Sequence, residues 1–201
     1  MRFDLQVIAS WVEPGSRVLD LGCGSGTLLA MLRDEKGIVG TGIEQDEERA
    51  GRAISKGLSV IHGDIYEEVE DYPDTAFDYV ILSQTLQQVM DPSALIRAML
   101  RIGRRCIVSF PNFSYWKHRM QFLLRGRAPV SRELPFEWHD TPNIRVIPIA
   151  DFKRFCRGLN VPVLKEVAIN NHHHDERGTV VTFLPNLRAS YGIFLLGQPE
   201  E

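Results

Sequence analysis

The sequence predicts an α/β fold of Rossmann-like type: a mostly parallel sheet of seven strands in the order 3-2-1-4-5-7-6, strand seven antiparallel, with helices on both faces. Three observations predict it. Apolar strand-like runs alternate with segments of helical period along most of the chain. The stretch Val18-Leu19-Asp20-Leu21-Gly22-Cys23-Gly24-Ser25-Gly26-Thr27-Leu28-Leu29 carries a buried-strand pattern through an acid into three glycines spaced two apart, and an apolar helix-like segment follows at once. Near the end, residues 163–170 and 191–196 read as two strands pairing antiparallel at the sheet edge.

The 201 residues suffice for one well-buried domain and are short for two, so residues 1–201 are expected to form a single unit. The 44% apolar and 24% charged content is that of an ordinary globular protein. A net charge of −3 makes no general case for a nucleic acid partner. No apolar run approaches the length of a membrane span, and no signal-peptide core follows Met1-Arg2-Phe3-Asp4. Cys23, Cys106 and Cys156 are odd in number, far apart and without zinc spacing, which reads as reduced thiols in the cytoplasm.

In chain order, Phe3, Leu5, Val7, Ile8 and Trp11 mark an amphipathic packing helix, with a cap over a ligand site as the second reading, and Pro14-Gly15 ends it. The first strand is Arg17–Leu21, the next helix covers about 28–34, and Lys36-Gly37 stops it. A second strand at 38–44, a helix at 46–56 and a third strand at 58–62 follow. The acidic stretch from Glu67 to Asp78 reads as solvated helix and loop. Phe77–Ser83 is nearly continuous in apolar residues, as a central parallel strand buried on both faces would be. Pro92–Ile102 is helical, 106–110 is the fifth strand, and 150–157 is the last helix.

The glycine turn points to a nucleotide-type ligand. Glycines allow a tight turn and leave no Cβ in the way of a ligand, while the following helix aims its first N–H groups at the turn. The spacing is G-x-G-x-G, not the G-x-G-x-x-G of a dinucleotide site, and no G-K-[ST] follows as a P-loop requires. Asp20, two residues before Gly22, is a poor neighbour for a pyrophosphate but suits a ligand carrying an ammonium and a sulfonium. S-adenosylmethionine, or S-adenosylhomocysteine, is therefore the expected cofactor, ahead of NAD or FAD and of an empty pocket. Glu44, with Gln45 beside it, closes a strand about twenty residues beyond the glycines, where a βαβ unit presents a carboxylate to ribose hydroxyls. Asp46, Glu47 and Glu48 read as ordinary first-turn acids of the next helix.

Asp20, Gly22, Cys23, Gly24 and Gly26 together resemble the first motif of class I methyltransferases. Gly63-Asp64 resembles that family's acid after strand three, which implies an acceptor in Asp64 for the adenine amino group and a backbone N–H and apolar face from Ile65. The run Ser83-Gln84-Thr85-Leu86-Gln87-Gln88-Val89-Met90-Asp91-Pro92 resembles the segment after strand four in small-molecule methyltransferases, which puts Ser83, Gln84 and Thr85 beside the sulfonium and the acceptor. Many relatives carry a histidine where this chain has Gln88, so that residue's role does not transfer. An Asn-Pro-Pro-Tyr-type motif, which would suggest a nucleic acid substrate, is missing after strand four.

Two further segments are narrower. Ser109-Phe110-Pro111-Asn112-Phe113-Ser114-Tyr115-Trp116-Lys117-His118-Arg119 and Leu134-Pro135-Phe136-Glu137-Trp138-His139-Asp140-Thr141-Pro142-Asn143-Ile144, with the glycine motif and the short length, closely resemble the MetW family of methionine-biosynthesis proteins over essentially the whole chain. The resemblance implies a partner, a MetX-type homoserine O-acetyltransferase or O-succinyltransferase, which the family accompanies and activates. It does not establish a methyl acceptor, and methyl transfer to a small molecule is the second functional reading.

The residues themselves make about 111–148 an insertion or lid, rich in aromatic, proline and basic residues. Trp116, Phe122, Leu123 and Leu124 read as a helix stripe packed into the core, with an interface as the alternative, and Trp116, Arg119 and Trp138 are the candidate partner anchors. Trp138-His139-Asp140 is weak as a general base pair, since adjacent residues need not face the same way, and no catalytic residue is named. Arg97, Arg101, Arg104, Arg105, Lys117, Arg119, Arg125 and Arg127 form either one basic face or two unrelated ones. His172, His173, His174 and Asp175 read as a hairpin-loop flank rather than a metal site.

Overall fold

A computed structural model describes residues 2–171 and 177–198; the run His172, His173, His174 and Asp175 lies outside them. The opening helix α1 (Phe3–Trp11) leads into β1 (Arg17–Leu21), α2 (Thr27–Lys36), β2 (Val39–Glu44), α3 (Glu47–Ile54) and β3 (Ser59–His62). Next come α4 (Ile65–Glu70), β4 (Phe77–Ser83), α5 (Pro92–Ile102) and β5 (Gly103–Pro111). The chain ends with α6 (Trp116–Arg125), α7 (Ile149–Gly158), β6 (Val163–Asn171), β7 (Gly178–Val180), α8 (Pro185–Arg188) and β8 (Tyr191–Gly197).

The sheet order is β3-β2-β1-β4-β5-β8-β6-β7. β1 to β5 pair in parallel with one another, and β8 runs antiparallel to both β5 and β6. This is the expected order with an eighth strand, β7, added outside β6 through Ile169↔Val180. Three residues, Gly-Thr-Val, are too few for alternation to register in a sequence.

The central strands are apolar on both faces because helices cover both. On one side Leu95 and Met99 of α5 and Phe152 of α7 pack on Val80, Phe110 and Phe194. Phe110 stacks on Phe194 at 5.7 Å, and Phe152 meets Phe194 at 4.7 Å. On the other, Leu5 and Ile8 of α1 and Leu29 and Leu32 of α2 pack on Val18, Ile81, Ile107 and Ile193. Side-chain caps open α3, α4 and α5. Asp46 accepts from the Arg49 N–H at 2.9 Å, and Asp91 accepts from Ser93 and Ala94 N–H ahead of Pro92.

The basic residues separate into two faces. Arg101 donates to Asp74 and to the Tyr72 and Val69 carbonyls, Arg105 pairs with Glu13, and both sit where β5 begins. Lys117, Arg119 and Arg125 lie on α6, beyond the far end of β5, which is nine residues and so roughly 30 Å long.

The insertion corrects one expectation. α6 is helical, but Trp116, Phe122, Leu123 and Leu124 are not core: they are 46%, 60%, 76% and 74% exposed, and His118 is the buried residue of this helix. The physical reason is that α6 is anchored by polar contacts. His118 Nε2 lies 2.9 Å from Ser131 Oγ, the Ser131 hydroxyl donates to Glu133 at 2.7 Å, and Arg119 Nε donates to the Ser114 carbonyl at 2.7 Å. Residues 126–148 then return without regular structure.

Candidate functional site

A cavity of about 380 Å³ opens at the carboxyl ends of β1, β2 and β4, where an open α/β sheet binds its ligands. The turn after β1 forms its floor. Gly22 and Cys23 N–H groups both donate to the Ile43 carbonyl, at 2.8 and 3.0 Å, which locks the turn onto the end of β2. A Cβ at Gly22 would meet Thr85 Oγ1 at 2.7 Å, so only glycine lets the turn and the loop after β4 approach across the cavity.

Glu44 is the best-fixed group in this site. Its Oε2 accepts from the Gly24 N–H at 2.7 Å and its Oε1 from the Asp46 N–H at 3.0 Å, while the residue lines the cavity and is only 7% exposed. Each carboxylate oxygen retains acceptor capacity beyond these bonds. Behind it, Asp20 is buried with Oδ1 unpartnered among the described residues. Burial, with the Glu44 charge adding to it, pushes the Asp20 carboxyl up to about 7. The Cys23 thiol is likewise pushed up to about 12, first by burial and then by Asp20 and Glu44, so it is no nucleophile at neutral pH.

At the opposite wall Asp64 caps α4, accepting from the Tyr66 N–H at 2.7 Å, and Ile65 and Tyr66 line the cavity beside it. The Tyr66 hydroxyl accepts from the Asp91 N–H at 2.7 Å and so ties this wall to the loop after β4. In that loop Gln84 adopts φ +54°, in the left-handed region. It is held there by its own N–H to the Ser109 carbonyl at 2.8 Å and by its amide nitrogen to Asp4 Oδ2 at 2.7 Å. Asp4 is wholly buried and also pairs with Arg2. α1 therefore both packs in the core and braces the cavity wall.

Of the residues singled out in the sequence, Gly22, Glu44, Gln45, Asp64, Ile65, Ser83 and Gln84 line one cavity. Asp20, Cys23, Gly24 and Gly26 stand behind or beside it. A Cβ at Gly26 would overlap Leu58 Cδ1 and meet Ala53 Cβ at 3.0 Å, which is a packing demand from α3 and β3. Arg49, Tyr66, Val89 and Met90 also line the cavity, and sequence reasoning misses them. Tyr66 has a local signal, adjacency to Ile65, whereas Arg49 arrives only because the Asp46 cap fixes the first turn of α3. His139 and Asp140 are not among the lining residues.

The insertion reaches this site through its return path. Ile144 and Arg145 N–H groups both donate to the Gln87 carbonyl, at 2.9 and 3.0 Å. The Arg145 guanidinium donates to the carbonyls of Val89, at 3.3 Å, and Met90. Val89 and Met90 line the cavity, so the strap at 144–145 holds its outer wall.

The donor set fits a ligand with ribose hydroxyls and positive charge. Two carboxylates, Glu44 and Asp64, face the cavity with one cation, Arg49, and a third carboxyl, Asp20, whose Oδ1 has no partner among the described residues, lies behind the glycine turn. This arrangement opposes a pyrophosphate and favours an ammonium or sulfonium. Among the described residues no group of three or more His, Cys, Asp or Glu side chains is arranged to hold a metal ion, and no helix is long and apolar enough to cross a membrane.

The comparisons agree with this geometry. The family profile described as "Methionine biosynthesis protein MetW" matches residues 2–196. A Rhodopirellula baltica protein, "Bifunctional methionine biosynthesis protein MetXA/MetW", is 39% identical over 176 residues, 83% of this chain and 28% of that protein. A Listeria welshimeri demethylmenaquinone methyltransferase is 31% identical over 134 residues, 59% of this chain and 56% of that one. This chain thus spans well under two thirds of either relative. Among solved structures, a SAM-dependent methyltransferase from Archaeoglobus fulgidus superposes with a TM-score of 0.70 at 16% identity, covering 97% of this chain and 91% of that one. Magnesium protoporphyrin IX methyltransferase from Synechocystis with bound SAH gives 0.65 at 16% identity, covering 97% and 82%. The chain belongs to the MetW family and has the class I methyltransferase fold.

Proposed function

We propose that this member of the MetW family holds S-adenosylmethionine or S-adenosylhomocysteine in the cavity between β1, β2 and β4, and acts in methionine biosynthesis by binding and activating a MetX-type homoserine O-acyltransferase. The observation that carries the partner reading is the Rhodopirellula baltica relative, whose name joins MetXA and MetW in one polypeptide. Two functions fixed in one chain are held at high effective concentration, as partners that work in contact benefit from being.

In the cofactor reading Glu44 accepts from the ribose hydroxyls, Asp64 and Ile65 take the adenine edge, and Gly22 to Gly26 with Asp20 receive the amino acid portion. Ser83 and Gln84 border the sulfonium. When bound, S-adenosylmethionine supplies a methyl group on an electrophilic sulfonium, and the protein's contribution is positional. Glu44 is pre-organised for this by two backbone N–H donors, and Gln84 is braced by Asp4, so little ordering remains on binding. Methyl transfer to a small molecule is the second reading, favoured by the fold and by the cavity's extension past Gln84 to Gln88 and Met90. Among the described residues that line the cavity there is no histidine or lysine placed to act as base, which favours the accessory role.

The test mixes the purified chain with the homoserine O-acyltransferase of the same organism, follows complex formation by sedimentation, and assays acyl transfer with and without this chain. Calorimetric titration of S-adenosylhomocysteine accompanies it. Complex formation with a rise in acyl transfer is expected, as is cofactor binding that Glu44→Ala weakens by roughly 1.5–3 kcal/mol, the worth of charge-assisted hydrogen bonds. An acyltransferase equally active alone, with no complex at micromolar concentration, removes the partner reading. Methyl transfer then becomes the leading function.

A further inference from the structure

The helix α6 presents an apolar stripe to solvent at the spacing of a groove-binding helix. Trp116, Met120, Leu123 and Leu124 recur at i, i+4, i+7 and i+8, and all four are exposed. None of them is needed to hold the helix in place, since the opposite face is fixed by the buried His118 against Ser131 and Glu133. Burial works to raise the Glu133 carboxyl, but its His118 and Ser131 contacts outweigh it and hold it down at about 2. Concavities of about 690 and 350 Å³ flank the helix, one walled by Arg125, Arg127, Trp138 and a single carboxylate, Glu137, the other by Phe122 and Leu123. The surface therefore offers projecting side chains with recesses on either side, on a rigid support.

Its charge selects the occupant. α6 carries Lys117, Arg119 and Arg125 and no carboxylate, in a chain whose net charge is −3. Pairing of α6 with α6 of a second copy would bring the same cations against themselves, which like-charge repulsion opposes. A protein groove that is apolar at its centre and rimmed by Asp and Glu satisfies both features. We propose that α6 is the surface by which this chain docks on its acyltransferase, its stripe entering an apolar groove with an acidic rim. The proposal rests on the partner reading given above and names the contact that reading lacks.

The test measures binding of the same acyltransferase by sedimentation, with wild type and two double variants, Leu123→Asp/Leu124→Asp and Lys117→Glu/Arg125→Glu. All the substituted side chains are exposed, and circular dichroism checks each fold; Met120→Lys replaces any variant that fails to fold. The expected result is binding by wild type, at least a tenfold loss in the leucine variant, and in the charge variant both weaker binding and a shallower salt dependence. Wild-type affinity in both variants overturns the surface while leaving the partner reading standing. Failure of wild type to bind overturns both together. Sedimentation of the chain with phosphatidylserine vesicles but not with the acyltransferase, or self-association lost in the leucine variant, assigns α6 to a membrane surface or to a dimer and overturns the proposal as well.

Discussion

Residues 17–91 and residues 112–148 solve opposite problems. In the first region polar groups turn inward: Glu44 and Asp64 line one cavity, fixed by backbone N–H donors, and Asp20 lies buried behind its glycine turn. In the second, apolar groups turn outward, and the buried anchor is a histidine–serine–glutamate cluster. Each inverts the usual arrangement of apolar inside and polar outside. A site for a small polar ligand requires the first inversion, and the docking surface proposed above would account for the second. The two regions meet where Ile144 and Arg145 grip the carbonyls of Gln87, Val89 and Met90.

The sharpest way to break the contrast is within the glycine turn, because its members answer to different constraints. Gly26 sits at φ +72° with no room for a Cβ, whereas Gly24 sits at φ +57° with nothing within 4 Å of one. Gly26→Val combines backbone strain with a clash against Leu58 and Ala53 and should cost roughly 3–5 kcal/mol of stability. Gly24→Ala meets backbone strain alone and should cost about 1–2 kcal/mol. Denaturant unfolding checks both. Equal losses at the two positions would mean that the turn tightens uniformly around its ligand site and that packing beneath it is irrelevant.

This difference also marks what a sequence can disclose. Acid, glycine spacing and strand-end position are local signals that single out Gly22, Glu44 and Gln45, while the resemblance to class I methyltransferases adds Asp64, Ile65, Ser83 and Gln84; all seven line one cavity. Seven strands and their order follow from alternation and from the terminal pair, since β4 and β8 are apolar enough to be read directly. Arg49 and Met90 are illegible because a helix cap and a strap from residues 144–145 deliver them, and neither contact leaves a periodic trace. The orientation of α6 is illegible for a different reason. Helical period reveals that a stripe exists but not which side of the helix the core lies on, and His118 carries no sequence signal that it, and not Leu123, would be buried.

A second prediction uses the acid behind the turn. Asp20 has a folded pKa near 7 against an ordinary value of 3.8. The folded state keeps this proton to higher pH than the unfolded state, so the group's contribution to stability falls as pH rises from about 4 to about 7 and is level beyond. Asp20→Asn does not titrate and escapes that fall. The variant should gain on wild type by roughly 2–4 kcal/mol between pH 4 and pH 8, at about 1.4 kcal/mol per pKa unit with allowance for relaxation around the site. Thermal melts across that range decide it. Parallel curves would mean that Asp20 is ionised and compensated in the free protein, and the case for a cationic ligand beside it would weaken.

The smallest effect is expected where the apolar side chains are largest on the surface. Leu123→Ser and Leu124→Ser remove side chains that are already mostly in water, so each should change the stability of the isolated chain by no more than about 0.5 kcal/mol. Leu82→Ala, at a fully buried position of β4, should cost roughly 2–5 kcal/mol because it loses burial and leaves a cavity. Urea unfolding of the three variants in one buffer makes the comparison. If the α6 leucines prove as costly as Leu82, the helix must pack against its own chain in solution, and its stripe belongs to the core after all. If they are silent alone but their loss lowers the stability of the complex, the stripe is buried only when a partner is present. That second outcome would show that the outward-facing half of the contrast is completed by another protein, as the inward-facing half is completed by its ligand.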